Sequence, residues 1–141
     1  MTVERRRGPI FEFLAADHAR LDALLQAALA RSEQIDRGPF DEFREGLLRH
    51  ISIEEKILLP AAREARGGDP LLQARRLRID HGAIAALLVP TPTPEIAAEI
   101  RKILGPHNVV EEGEGGVYMR DRLARAIRVF RRGFHAAAAM G

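Results

Sequence analysis

A string that occurs twice constrains this chain more than anything else in it: Asp-His, a helix and a half of sequence, then His-x-x-x-Glu-Glu. One copy is Asp17-His18 with His50, Ile51, Ser52, Ile53, Glu54 and Glu55; the other is Asp80-His81 with His107, Asn108, Val109, Val110, Glu111 and Glu112. Four of the five histidines fall within it. Residues four apart on a helix lie one turn above each other, so each His-x-x-x-Glu aims an imidazole and a carboxylate the same way. Two such helices facing each other, with one more His from each of two further helices, would form a cage for two cations.

Breakers cut the chain into the four periodic segments that such a cage needs. Gly8-Pro9 precedes the first, and Asp36-Arg37-Gly38-Pro39 separates it from the second. Gly67-Gly68-Asp69-Pro70 precedes the third, where Asp69 is expected to cap a helix with Pro70 in its first turn. Thr93-Pro94 repeats that signature before the fourth. No useful strand-like alternation occurs, and short connections favour antiparallel neighbours.

The apolar stripes show which face each helix should bury. They run Phe11, Leu14, His18, Leu21, Leu25, Ala28; then Phe43, Leu47, His50, Glu54, Ile57, Ala61. The third is Ala74, Leu77, His81, Ile84, Leu88, and the fourth Ile96, Ile100, Ile103, His107 with Val110 or Glu111. In all four, the unusual residues sit inside the apolar stripe. A single buried His is ordinary, but an unpaired buried carboxylate costs several kcal/mol, on the order of 3–5 when a partner is missing. The matching positions on the other stripes offer His, not Arg or Lys. A His–Glu ion-pair network is one solution. Metal ions supply the missing positive charge and engage every group at once.

Imidazole and carboxylate without thiolate suit iron, manganese or zinc. Two carboxylates that each reach both ions would bridge a pair, with about two positions of each octahedron left for other ligands. Structural zinc prefers four closed tetrahedral ligands, so an open, redox-capable di-iron centre fits better.

This pattern resembles the hemerythrin-like (HHE) family, over about residues 9 to 125. The resemblance is carried by Asp17-His18, His50-x-x-x-Glu54-Glu55 with Pro60 beyond, Asp80-His81, and His107-x-x-x-Glu111-Glu112. It implies a four-helix bundle holding two iron ions in an oxo- or hydroxo-bridged centre. His18, His50, His81 and His107 would then be terminal ligands, and Glu54 and Glu111 bridging carboxylates. The Glu-x-x-His spacing of ferritin-like di-iron proteins is absent. Oxygen-carrying relatives have a fifth His one turn after the third-helix ligand, where this chain has Ala85. That vacancy weighs against reversible oxygen carriage. Glu55 and Glu112 are expected to face solvent or to support the ligands.

Three glycines in Glu112-Gly113-Glu114-Gly115-Gly116-Val117-Tyr118 suggest a helix end and turn. The alternative is a loosened segment that brings Glu114, as an additional ligand, or Tyr118, as a hydrogen-bond donor, to an open metal position. Gly105-Pro106 is a second local break, just before His107. Beyond lies a basic amphipathic stretch with Leu123, Ile127, Phe130 and Phe134 on one face. It is expected to cover the bundle or to form a homodimer. His135 would reach the metals only if this tail folds back.

The whole chain narrows the rest. Its 141 residues suit one domain, and the absence of Cys excludes disulfides, iron–sulfur clusters and thiolate chemistry. A net charge of +2 on a mixed surface gives no reason to expect a nucleic-acid partner. No segment approaches the roughly 20 apolar residues of a membrane span, and Met1 to Arg7 is followed by no signal-like apolar core. No membrane association is therefore expected, and a cytoplasmic location is.

The reading is an all-α, up-down-up-down four-helix bundle over residues 9–116. A flexible basic arm (1–8) precedes it, and an appended C-terminal helix and tail (117–141) follow. Its expected role is to bind oxygen or a related small ligand, such as NO or peroxide, at an open iron position, in sensing, storage or detoxification. The alternatives are a di-iron oxidase or peroxidase, and an iron or redox sensor acting through a partner. A metal- and small-ligand-binding protein is expected ahead of a dedicated enzyme.

Overall fold

The computed structural model describes residues 8–31, 33–113, 116 and 118. The expected C-terminal helix, His135, Glu114 and nearly all of the basic arm lie outside these residues. Among the described residues every regular element is helical. α1 spans Pro9–Ala28, α2 Arg37–Ile53, α3 Leu59–Ala65, α4 Ala74–Leu87 and α5 Pro94–Glu112. A π turn, Glu54–Leu58, joins α2 to α3, and helical backbone angles on both sides make α2, the turn and α3 one rod. Four helical rods result. α1 packs along α2, α4 along α5, and α1 also reaches α5.

Local chemistry explains most of the boundaries. α1 starts at Pro9 after an extended Gly8. Asp36 caps α2 by accepting from the Gly38 N–H at 3.2 Å, and Thr93 caps α5 by accepting from the Ile96 N–H at 3.2 Å. The second rod ends in two left-handed glycines, Gly67 (φ 72°) and Gly68 (φ 102°), which donate to Glu64 and Arg63 carbonyls at 3.0 and 2.9 Å. That paired pattern is a Schellman cap, and its positive φ favours glycine.

The expected cap at Asp69-Pro70 does not form; α4 starts later, at Ala74. Leu71 is buried in the core, and a turn in which the Ala74 N–H reaches the Leu71 carbonyl at 3.0 Å places it there before the helix begins. Apolar burial outweighs the cap signal. The π turn produces a second difference. Pro60 has no N–H to give to the carbonyl one turn back, and its ring crowds that carbonyl. The rod widens instead, with the Leu59 N–H bonded to Glu54. The buried face rotates with it: Leu58 is fully enclosed, whereas Ile57, expected on the stripe, is only half-buried.

The core has two apolar clusters. One gathers Phe11, Leu14, Leu58, Leu71, Leu77 and Tyr118; the other gathers Leu21, Leu25, Phe43, Leu47, Ile84 and Ile100. Along α1, α2 and α4, the histidines fall between residues of the two clusters. No helix among the described residues is long and apolar enough to cross a membrane.

Phe43 is fully buried with its ring 5.9 Å from that of Phe40. Phe43→Ala should lower unfolding free energy by about 3–5 kcal/mol. Denaturant titration followed by circular dichroism measures this.

Candidate metal centre

α1 carries His18, α2 carries His50, the π turn opens with Glu54, α4 carries His81, and α5 carries His107 and Glu111. All six are buried, and both glutamates are at 0% exposure. The fourth stripe's open choice resolves in favour of Glu111, since Val110 is only half-buried. The six side chains form two groups, His18–His50–Glu54–Glu111 and Glu54–His81–His107–Glu111, with the atoms offered by each group within 4.8 Å of one another. Glu54 and Glu111 belong to both. Glu54 lies 2.7 Å from His50 Nε2 and 3.8 Å from His81 Nε2, while Glu111 lies 3.0 Å from His107 Nε2 and 3.3 Å from His18 Nε2.

The remaining acidic residues of the duplicated string orient these imidazoles. His50 Nδ1 donates to Asp17 at 2.7 Å, and His107 Nδ1 donates to Asp80 at 3.0 Å. His81 Nδ1 donates to Glu55 and His18 Nδ1 to Glu112, both at 2.8 Å. Glu55 and Glu112 thus orient His81 and His18 instead of only facing solvent. The roles of Asp17 and Asp80 were not assigned from sequence, although each directly precedes a predicted site residue. An ionised carboxylate can only accept, so each Nδ1 carries the proton, and in the neutral ring each Nε2 presents a lone pair inward. His81 Nε2 and His107 Nε2 are 3.2 Å apart, so two neutral rings would set lone pair against lone pair. Among the described residues, all four oxygens of Glu54 and Glu111 are buried without a hydrogen bond of good geometry. Orphaned oxygens beside converging lone pairs are what a bound cation would satisfy. The donor set fits a metal pair.

With only protons available, the groups compete for charge. Burial, together with the neighbouring Glu111, raises Glu54 from 4.5 to about 8. Burial acts against a His50 cation, but Asp17 and Glu54 outweigh it and raise His50 from 6.5 to about 9. His107 is also raised, its Glu111 and Asp80 contacts overcoming burial. Burial lowers His81, with the neighbouring His107 adding to it. Burial would raise Glu111, yet Glu54, His107 and His18 together hold it well below the usual carboxylate range.

α5 ends at a Gly113 cap, beyond which the Gly116 N–H donates to the Gly113 carbonyl at 2.8 Å. A Cβ on Gly116 would meet the Glu111 carbonyl oxygen at 2.5 Å, so the turn needs glycine there. The Tyr118 N–H then donates to the Glu111 carbonyl at 3.1 Å, and the ring is buried. Its hydroxyl lies 3.2 Å from His50 Nε2 and 3.3 Å from His18 Nε2. Burial, followed by the Glu54 and Glu111 carboxylates, pushes the Tyr118 phenol well above its ordinary value. α5 continues through Pro106 as one helix. Elsewhere the site borders a cavity of about 190 Å³, walled by Leu21, Leu25, Leu47, Ile84 and Leu104, with Asp22 and Arg101 also on its lining.

A family model described as Hemerythrin HHE cation binding domain matches residues 10–114. Neither the curated proteins nor the solved structures yield a match.

Two outcomes follow from this arrangement. Asp80→Asn should weaken metal binding about 10–100-fold by loosening His107, measured by competition with a chelator. The second concerns pH. Glu54, with its pKa raised from 4.5 to about 8, contributes stability that is present below 4.5 and lost as pH rises through 8. His50 contributes stability present below 6.5 and lost as pH rises through about 9. Chelated protein should therefore lose thermal stability between pH 6.5 and about 9, while metal stabilises more strongly across that window. Melting curves with and without chelator check this; a constant difference between them would contradict the arrangement.

Proposed function

Because the chain belongs to the hemerythrin HHE cation-binding domain family, we propose that it holds a non-haem di-iron centre that engages oxygen, NO or peroxide in sensing, storage or detoxification. His18 and His50 would hold one ion, His81 and His107 the other, with Glu54 and Glu111 bridging. The observation that carries this reading is the set of four orphaned carboxylate oxygens facing inward imidazole nitrogens. Among the described residues no Lys or Arg pairs with either glutamate; their ion-pair partners are histidines. Two imidazoles and shared carboxylates for each ion suit iron and leave positions for other ligands. When bound, the irons would supply Lewis acidity and redox capacity to the small ligand.

The protein's own contribution is orientation and exclusion of water. The Nδ1–carboxylate bonds fix each ring and raise its basicity as a donor. The apolar cavity wall restricts bulk solvent beside the carboxylates while leaving room for a small molecule. Ala85, half-buried one turn after His81, supplies no further donor. That favours sensing or detoxification over reversible carriage. The cavity also supports a second reading, a di-iron oxidase or peroxidase. Its 190 Å³ far exceeds the roughly 10–15 Å³ that one water-sized molecule occupies by this measure.

Elemental analysis should give about two irons per chain, and Glu54→Ala should lose metal and thermal stability together because binding energy is folding energy here. Stoichiometric zinc alone, or no metal, would contradict the di-iron reading, and full occupancy in the variant would contradict bridging. A reversible spectral change on oxygen cycling indicates ligand binding; peroxide consumption with turnover indicates the enzyme.

A further inference from the structure

The geometry points to Tyr118 as a metal ligand. Its phenolic oxygen completes the shell of the ion held by His18 and His50, and leaves the ion of His81 and His107 to receive the exogenous ligand. The inference rests on the dinuclear reading above and makes its two ions inequivalent.

Both His18 and His50 give their Nδ1 protons to carboxylates, Glu112 and Asp17 respectively, so in the neutral rings that a cation would engage both Nε2 atoms present lone pairs to the Tyr118 oxygen. That oxygen lies 3.3 Å from one and 3.2 Å from the other. A phenol has one proton and can satisfy only one of the two. Three donor atoms thus converge with fewer protons than lone pairs. Their spacing is that of neighbouring ligands in a coordination shell: bonds of about 2.1 Å place adjacent donors about 3.0 Å apart in an octahedron and about 3.4 Å apart in a tetrahedron.

The surrounding chain fixes the hydroxyl at that point. Tyr118 is 1% exposed, with the Phe11 ring edge-on at 6.4 Å and the His18 ring at 5.6 Å. Phenylalanine would fill the same apolar space without burying an oxygen. The turn at Gly113 and Gly116 has no room for a side chain: a Cβ at either would come within 2.5 Å of a backbone carbonyl oxygen. The Tyr118 N–H is tied to the carbonyl of Glu111, a shared carboxylate of both groups. Around His81 and His107 the described residues place no equivalent phenol. Among the described residues, their Nε2 atoms meet only each other and the glutamates.

On coordination the phenol O–H bond breaks, a metal–oxygen bond forms, and the proton leaves to solvent. No electron changes hands.

The chain has one Tyr and no Trp, so any tyrosinate signature belongs to Tyr118. Iron-loaded, air-oxidised protein should show a visible phenolate-to-iron charge-transfer band, with tyrosinate ring vibrations enhanced in the resonance Raman spectrum. Tyr118→Phe should lose both completely while keeping about two irons per chain and the near-ultraviolet oxo-to-iron charge-transfer absorption expected of the bridged centre. Two irons without phenolate features in the unaltered protein would overturn the assignment and leave the dinuclear centre standing. A visible band that survives in Tyr118→Phe would overturn it as well. Absence of iron would overturn the dinuclear reading and this inference together. The spectrum of the unaltered protein decides the matter even if the variant fails to fold.

Discussion

Two carboxylates enclosed in the interior of a helical bundle set the terms for everything around them. Glu54 and Glu111 are removed from water with only imidazoles for ion-pair partners among the described residues. Removing an ion from water without adequate compensation costs several kcal/mol. Charge therefore alternates outward from the middle: two inner carboxylates, four imidazoles, then the four outer carboxylates of Asp17, Glu55, Asp80 and Glu112. Six carboxylates around four rings leave the assembly short of positive charge. Protonation covers part of the deficit, as the raised Glu54 and His50 indicate. Two multivalent cations cover it more fully and engage the inward lone pairs that protons leave opposed.

Periodicity made much of this legible. His18, His50, His81 and His107 occupy stripe positions that 3.6-residue spacing places inward, and all are buried. Glu54 stood out because a carboxylate on an apolar stripe has few explanations. Legibility ended where geometry ceased to be local. Ile57 gave way to Leu58 because Pro60 widens the turn, and a fixed period cannot register one added residue. Asp69-Pro70 looked like a helix start, but the core claimed Leu71 first. The partners of Asp17 and Asp80 lie on neighbouring helices, so their roles depend on how the rods are rotated against each other. Tyr118 was visible only as an open choice, since its approach requires the chain to reverse through a glycine turn.

The pairing of the outer carboxylates explains why the string is duplicated as a unit. Each Asp braces the second His of its own copy: Asp17 holds His50, and Asp80 holds His107. Each final Glu braces the first His of the other copy: Glu55 holds His81, and Glu112 holds His18. Glu54 likewise lies between His50 of its own copy and His81 of the other. Neither copy can orient both of its imidazoles alone. The halves must dock before any ion finds a complete set of donors, so metal binding is coupled to packing of the whole bundle.

Exchange between the copies makes the inner shell nearly symmetric, and a symmetric pair would offer a small ligand two similar positions. Tyr118 breaks that equivalence from outside the repeat. Its oxygen approaches only the His18–His50 side, where the helix end at Glu112 and the turn behind it bring the chain back. The first copy has no counterpart to it, because after Glu55 the chain runs on through the π turn into α3 instead of reversing. The duplicated string would hold the two proposed cations, and one unduplicated residue would keep them from behaving alike.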